Sequence, residues 1–184
     1  MDDPGDSAAS LPSDEASVES EPPERLEVAI VEEGGDWSAI PFRGQAIVAA
    51  AAALARHPLC ARARGAEASI VLGDDALLRA LNRTYRGKDR PTNVLSFPFQ
   101  PPPGAEQDRC LGDVVLAVET VAREAGEQGI APVHHLQHLV VHGLLHLLGF
   151  DHENDAQAEA MECLEVQILS ALGIADPHAP AGVG

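Results

Sequence analysis

His142, His146 and His152 form the pattern H-x-x-x-H-x-x-G-x-x-H, whose first part lies in Leu139 to Leu148, a stretch with no Asp, Glu, Lys or Arg. A helix that is apolar nearly all round has no solvent face, so it belongs at the centre of a domain. Histidines four apart on such a helix project from the same side, one turn from each other, which suits two ligands of one ion. Pro132 suits a first helical position and Gly149 the residue just past the end. Beyond that end, Phe150 and Asp151 deliver His152 as a third nitrogen ligand.

Three neutral imidazoles with an open fourth position describe a catalytic zinc site, whereas a closed structural site normally has four protein ligands. The same donors also accept other divalent ions. Read as ordinary core residues, three buried imidazoles without partners would cost about 1–3 kcal/mol for each unsatisfied polar group, a heavy load for a domain stable by about 5–15 kcal/mol. His138, a turn before His142, is expected either behind the ligands or in the core, because a fourth histidine would leave no place for substrate. His134, His135 and His57 are expected to be solvated or structural. Metzincin proteases share the histidine spacing, with a glutamate general base beside the first histidine. Here that position is Gly143, which argues against peptide hydrolysis.

The rest of the chain reads as mixed α and β elements around one sheet. Strands are expected at Arg25 to Val31 (half buried, from its alternation), Ala68 to Leu72, Asn93 to Phe97 and Asp113 to Val118. Helices are expected from Gly44 to Arg56, from Ala76 to Tyr85 after the cap candidates Asp74 and Asp75, from the end of the fourth strand to about Gln128, and from Asn154 or Asp155 to Gly173. The last of these, with Met161, Leu164, Ile168 and Leu172 on one stripe, reads as amphipathic cover for the core. The fold class is therefore α+β: a single domain over residues 25–176, with a small mixed sheet packed against helices and a central buried helix carrying the three histidines.

The formal net charge is −17, and residues 1–24 hold eight acids and no base among Ser, Pro and Gly. They read as a disordered acidic tail, and residues 177–184 as a flexible C-terminal one. The longest apolar run, Ala46 to Ala55, is ten residues, about half of a bilayer span, so no membrane segment is expected. The N-terminus has neither a basic nor an apolar leader region, and Cys60, Cys110 and Cys163 are odd in number and far apart; a cytoplasmic location with free thiols follows as the expectation. An acidic total opposes phosphate binding, yet five of the twelve bases fall between Arg79 and Arg90. On the helix there, Leu77, Leu78, Leu81 and Tyr85 form the apolar stripe, while Arg79, Arg83 and Arg86 share another face.

The segment HGLLHLLGFDH, His142 to His152, resembles the signature of the YbeY family of bacterial endoribonucleases. LNRTYRGKDRPTNVLSFPF, Leu81 to Phe99, and LGDVVL, Leu111 to Leu116, are similar to two further motifs of that family, in the same order. The resemblance covers most of residues 26–176. It implies one divalent metal ion, generally zinc, held by His142, His146 and His152. It also implies cleavage of single-stranded RNA in ribosomal RNA processing, notably maturation of the 16S 3′ end, and in ribosome quality control. By position, Arg86 is the family arginine linked to activity. The expected catalytic residues are Arg86 and His142, with Arg83, Lys88 and Arg90 guiding the strand by phosphate contacts. Tyr85 and Phe97 stack a base only if exposed; their pattern favours the core. Asp113 is either a group near the site or a turn residue. Partners are expected to be 16S rRNA and the small ribosomal subunit with its proteins, with neither DNA nor membrane. A metal-dependent hydrolase of peptides or small molecules, and a non-catalytic assembly factor of the small subunit, are the alternatives.

Overall fold

The computed structural model describes residues 25–103, 109–152 and 154–179. The acidic stretch 1–24 and the last residues, 180–184, lie outside the described residues. Four strands, β1 (Glu27–Glu32), β2 (Glu67–Gly73), β3 (Val94–Pro98) and β4 (Cys110–Ala117), form one sheet in the order β1-β2-β4-β3. β1, β2 and β4 run parallel and β3 is antiparallel to β4, which makes the sheet mixed as expected. Among the described residues, five α-helices accompany it: α1 (Arg43–Arg56), α2 (Asp75–Arg86), α3 (Val118–Gln128), α4 (Pro132–Leu147) and α5 (Asp155–Ser170).

The period-two alternation of β2 and β4 divides the apolar side chains between two clusters. Ala68, Ile70, Leu72, Val114 and Leu116 join the main core with residues of α1, α4 and α5. Val71 and Val115 instead join a smaller cluster with Leu78 of α2 and with Leu95 and Phe97 of β3. α2 is held at its start by Asp74, whose side chain accepts from the Leu77 amide at 2.8 Å, and closes on Gly87 in the left-handed conformation.

α4 is the buried centre that the sequence predicts. Leu136, Val140, Val141, Leu144 and Leu145 have no accessible surface, and Gln137, also buried, donates to the Ala46 carbonyl of α1 at 3.1 Å. Leu144→Ala is therefore expected to cost about 2–5 kcal/mol, read as a lowered denaturation midpoint at unchanged slope.

Three expectations need correction. β1 is mostly exposed rather than half buried, because it is an edge strand: Ile30 and Val31 are exposed and only Leu26, just before it, is buried. β4 begins three residues before Asp113, at Cys110, since Cys110 already pairs with Glu67 of β2 and Gly112 with Ala68 of β2 and Pro98 of β3. Tyr85 is exposed rather than part of the core, its ring meeting Phe97 edge-on with centroids 5.0 Å apart. The three cysteines are free, with Cys60 buried and its thiol pushed up to about 11 by that burial. Among the described residues, no helix is long and apolar enough to cross a membrane.

Candidate metal centre

α4 reaches the sheet through Gly143. A Cβ on that residue would stand 2.5 Å from Val114 Cγ1 and 3.1 Å from Ser96 Oγ, and Ser96 Oγ donates to the Gly143 carbonyl at 3.0 Å. This close approach sets the height of His142 and His146 above β3. It also gives the physical reason why a protease glutamate is absent at position 143: the sheet occupies its space.

His142 and His146 face each other, Nε2 to Nε2, at 3.1 Å. Two nitrogens about 2.0–2.1 Å from a tetrahedral zinc are about 3.3 Å apart, so this separation suits a shared ion. The chain then reverses. Leu148 ends α4, its carbonyl accepting from Arg62 Nη1 at 3.2 Å, and Gly149 takes a φ of +94° that other residues avoid. The Gly149 and Phe150 amides donate to the His146 and Leu145 carbonyls at 3.0 Å each. His152 returns from this turn with its ring centroid 5.0 Å from that of His146. One nitrogen from each of the three imidazoles lies within 4.8 Å of the others, close enough for the three to converge on one ion. Burial, and then the neighbouring His142 and His152, hold His146 below its ordinary pKa and so in the neutral form that ligates.

Behind the histidines stands Glu165, on α5 and 1% exposed. Its Oε1 accepts from His142 Nδ1 at 2.7 Å; its Oε2 meets His138 Nε2 at 3.1 Å and His178 Nε2 at 2.7 Å. Burial alone would raise its pKa, but the hydrogen bonds with His138 and His142 outweigh that and hold the carboxyl well below the usual carboxylate range. A carboxylate on Nδ1 puts the proton there and leaves Nε2 bare toward His146, which is how metal-binding histidines are commonly oriented. α5 is thus more than apolar cover, and this residue was missed in the sequence. The available signal was a lone acid beside Leu164 on the buried stripe. His138 stands where it was expected, behind the ligands, and His178, in the stretch read as a loose end, is tied to the same carboxylate.

Arg86, the last residue of α2, lines the same cleft of about 370 Å³ as the three histidines, together with Thr92, Asn93 and Ser96. A neighbouring cavity of about 210 Å³ shares Arg86, Thr92 and Asn93 and adds Lys88 and Arg90. The loop between them is pinned from below: buried Asn82 donates to the Arg90 carbonyl at 2.8 Å, and the Lys88 amide to the Asn82 carbonyl at 3.2 Å. Asn93 and His135 both bond Glu124 Oε2, at 2.9 and 2.8 Å, so His135 is structural. His57 is structural too, bonding Gln167 of α5 at 3.0 Å.

The sequence is similar to those of known proteins. The family described as Endoribonuclease YbeY matches residues 42–173. This chain belongs to the YbeY endoribonuclease family. The Endoribonuclease YbeY of Azorhizobium caulinodans is 51% identical over 154 residues, covering 84% of this chain and 97% of that protein. The one from Halorhodospira halophila is 55% identical over 120 residues, 64% of this chain and 78% of its own length. A solution structure of a Thermotoga maritima protein aligns with 83% of this chain and 99% of its own, at a TM-score of 0.47 and 21% identity.

The basic residues of this YbeY-family chain do not all meet at the cleft. Arg83 is exposed on α2 and lines neither cavity, and Arg79 is engaged by Asp89 through two bonds of 2.8 and 3.0 Å. Asp113 is exposed on β4, opposite Phe97, and does not line the histidine cleft.

Proposed function

We propose that the chain is a metal-dependent endoribonuclease that cuts single-stranded RNA during ribosomal RNA processing, at the 3′ end of 16S rRNA and in ribosome quality control. One observation carries the reading: the Arg86 guanidinium and three convergent imidazoles line one cleft. His142, His146 and His152 would hold one divalent ion, and three imidazoles with an open fourth position suit the tetrahedral coordination that zinc favours. When bound, the ion supplies Lewis acidity at a phosphoryl oxygen.

The protein's own groups do the remaining work. Arg86 presents a planar fork that fits a phosphate and offsets charge developing on it in the transition state. Lys88 and Arg90, on the adjoining cavity, hold the flanking phosphates without reading sequence, and Arg83 adds a longer-range attraction from α2. Glu165 holds His142 in the tautomer and orientation that ligation needs. The acidic remainder of the molecule repels phosphate, so binding to free RNA is weak and the small ribosomal subunit presents the strand. The compartment that fits this substrate is the cytoplasm.

The test is cleavage of single-stranded and duplex RNA by the full chain beside His142→Ala and Arg86→Ala. Cleavage of single-stranded RNA should fall to background in His142→Ala and by about 10²–10³-fold in Arg86→Ala. If both variants cut as well as the wild type, the reading fails. Peptide turnover that disappears with His142→Ala would replace it with a hydrolase. Tight subunit binding with no cutting would replace it with an assembly factor.

A further inference from the structure

We infer a second cation site, formed by His138, Glu165 and His178 around the carboxylate oxygen that does not meet His142. Its three donor atoms, one from each residue, lie within 4.8 Å of one another, and two imidazole nitrogens converge on the single oxygen Glu165 Oε2 at 3.1 and 2.7 Å. They come from three separate pieces of chain: α4, α5 and the turn after α5. Glu165 is 1% exposed, and among the described residues its ion-pair partners are all histidines, with no Lys or Arg. A buried carboxylate whose ion-pair partners among the described residues are all imidazoles has two ways to balance its charge: protonated histidines or a bound cation. His138 and His178 side chains are 16% and 31% exposed, which leaves the site an entry from solvent. A cavity of about 230 Å³ adjoins the site, lined by Glu165, His178 and Glu162 and by His142 and His152 of the first site, with His138 outside it.

The donor set selects the ion. Two imidazoles and one carboxylate suit a divalent transition metal such as Zn²⁺, Co²⁺ or Fe²⁺ and disfavour Mg²⁺ and Ca²⁺, which prefer all-oxygen shells. Loading moves the Nε2 protons of His138 and His178 to their other ring nitrogens or to solvent, and the distances to Oε2 open from hydrogen-bond length to about 3.3 Å, the separation set by metal–ligand bonds of about 2.0–2.2 Å. Glu165 then serves both places at once, one oxygen on the ion and the other on His142. An ion on Oε2 weakens that carboxylate as an acceptor for His142, so each site lowers the affinity of the other, reciprocally. The proposal does not depend on RNA being the substrate.

The test is titration of the metal-free full chain with Co²⁺, read by its visible d–d absorption, and with Zn²⁺ by calorimetry. The wild type should take two equivalents of Co²⁺, the second more weakly. His178→Ala and His138→Gln should each lose one equivalent and keep the other; His146→Ala should lose the opposite one and keep that of the second site. The acidic N-terminal stretch is common to all four proteins, so ions held there cancel in the comparison. A single equivalent in the wild type, or a second equivalent retained at wild-type affinity in either His178→Ala or His138→Gln, overturns the inference. Loss with His146→Ala alone would leave the three-histidine site standing and remove this one. Far-UV circular dichroism of each variant confirms that the helices are intact.

Discussion

Gly143→Ala is expected to destabilise the protein by about 1–2 kcal/mol, although alanine is the better helix former by about 1 kcal/mol. The added methyl has nowhere to go: Val114 Cγ1 stands 2.5 Å from where it would be, and Val114 has no accessible surface through which to retreat. α4 would have to lift from β4, stretching the bond of 3.0 Å between Ser96 and the Gly143 carbonyl and carrying His142 and His146 away from the floor of their cleft. Gly126 is the control within the same molecule. It too is helical, in α3, but a Cβ there meets nothing within 4 Å, so Gly126→Ala should stabilise by about 0.5–1 kcal/mol. Opposite signs in urea melts of the two variants are the expected result; a stabilising Gly143→Ala would mean that the close approach of helix and sheet has no energetic consequence. Gly143→Glu should be worse still, since it adds a longer side chain and a charge in the same space, and no protease is accessible by that change.

The legible part of this fold was the part written in local rules. An uncharged stretch from Leu139 to Leu148, a proline at the start and a glycine at the end identified α4, and four-residue spacing put His142 and His146 on one side of it. Strand and helix limits fell within a few residues because caps such as Asp74 and Asn154 have short-range signatures. What the sequence could not convey were facts about neighbours distant along the chain. β1 alternates as a half-buried strand does, and only its place at the sheet edge exposes it. Tyr85 continues the apolar stripe of α2, yet sits past the end of the cluster that buries Leu78. Glu165 was the largest omission, since its partners are 23 and 27 residues before it and 13 after. An acid on an otherwise apolar stripe was the one local sign.

Replacing Glu165 by glutamine is expected to weaken metal binding at the three-histidine site by about 10–100-fold while leaving the helices formed. The side chain keeps its volume, so no cavity opens beneath α4. What changes is the group facing His142 Nδ1, now 2.7 Å from a carboxylate oxygen. If the amide NH₂ turns that way, Nδ1 must accept, the ring proton moves to Nε2, and the nitrogen directed at His146 is no longer a donor to metal. If the amide oxygen turns that way, the tautomer survives, but a neutral acceptor makes the imidazole a poorer ligand and leaves the NH₂ to face His138 and His178. Both arrangements lower affinity, and neither restores the charge that the carboxylate holds. Competition for Zn²⁺ against a chromophoric chelator reads the effect on folded protein directly, and urea melts of the metal-free chain read the structural part separately. A merely structural role would shift the melts and leave the affinity within about twofold, and that result would remove Glu165 from the metal centre.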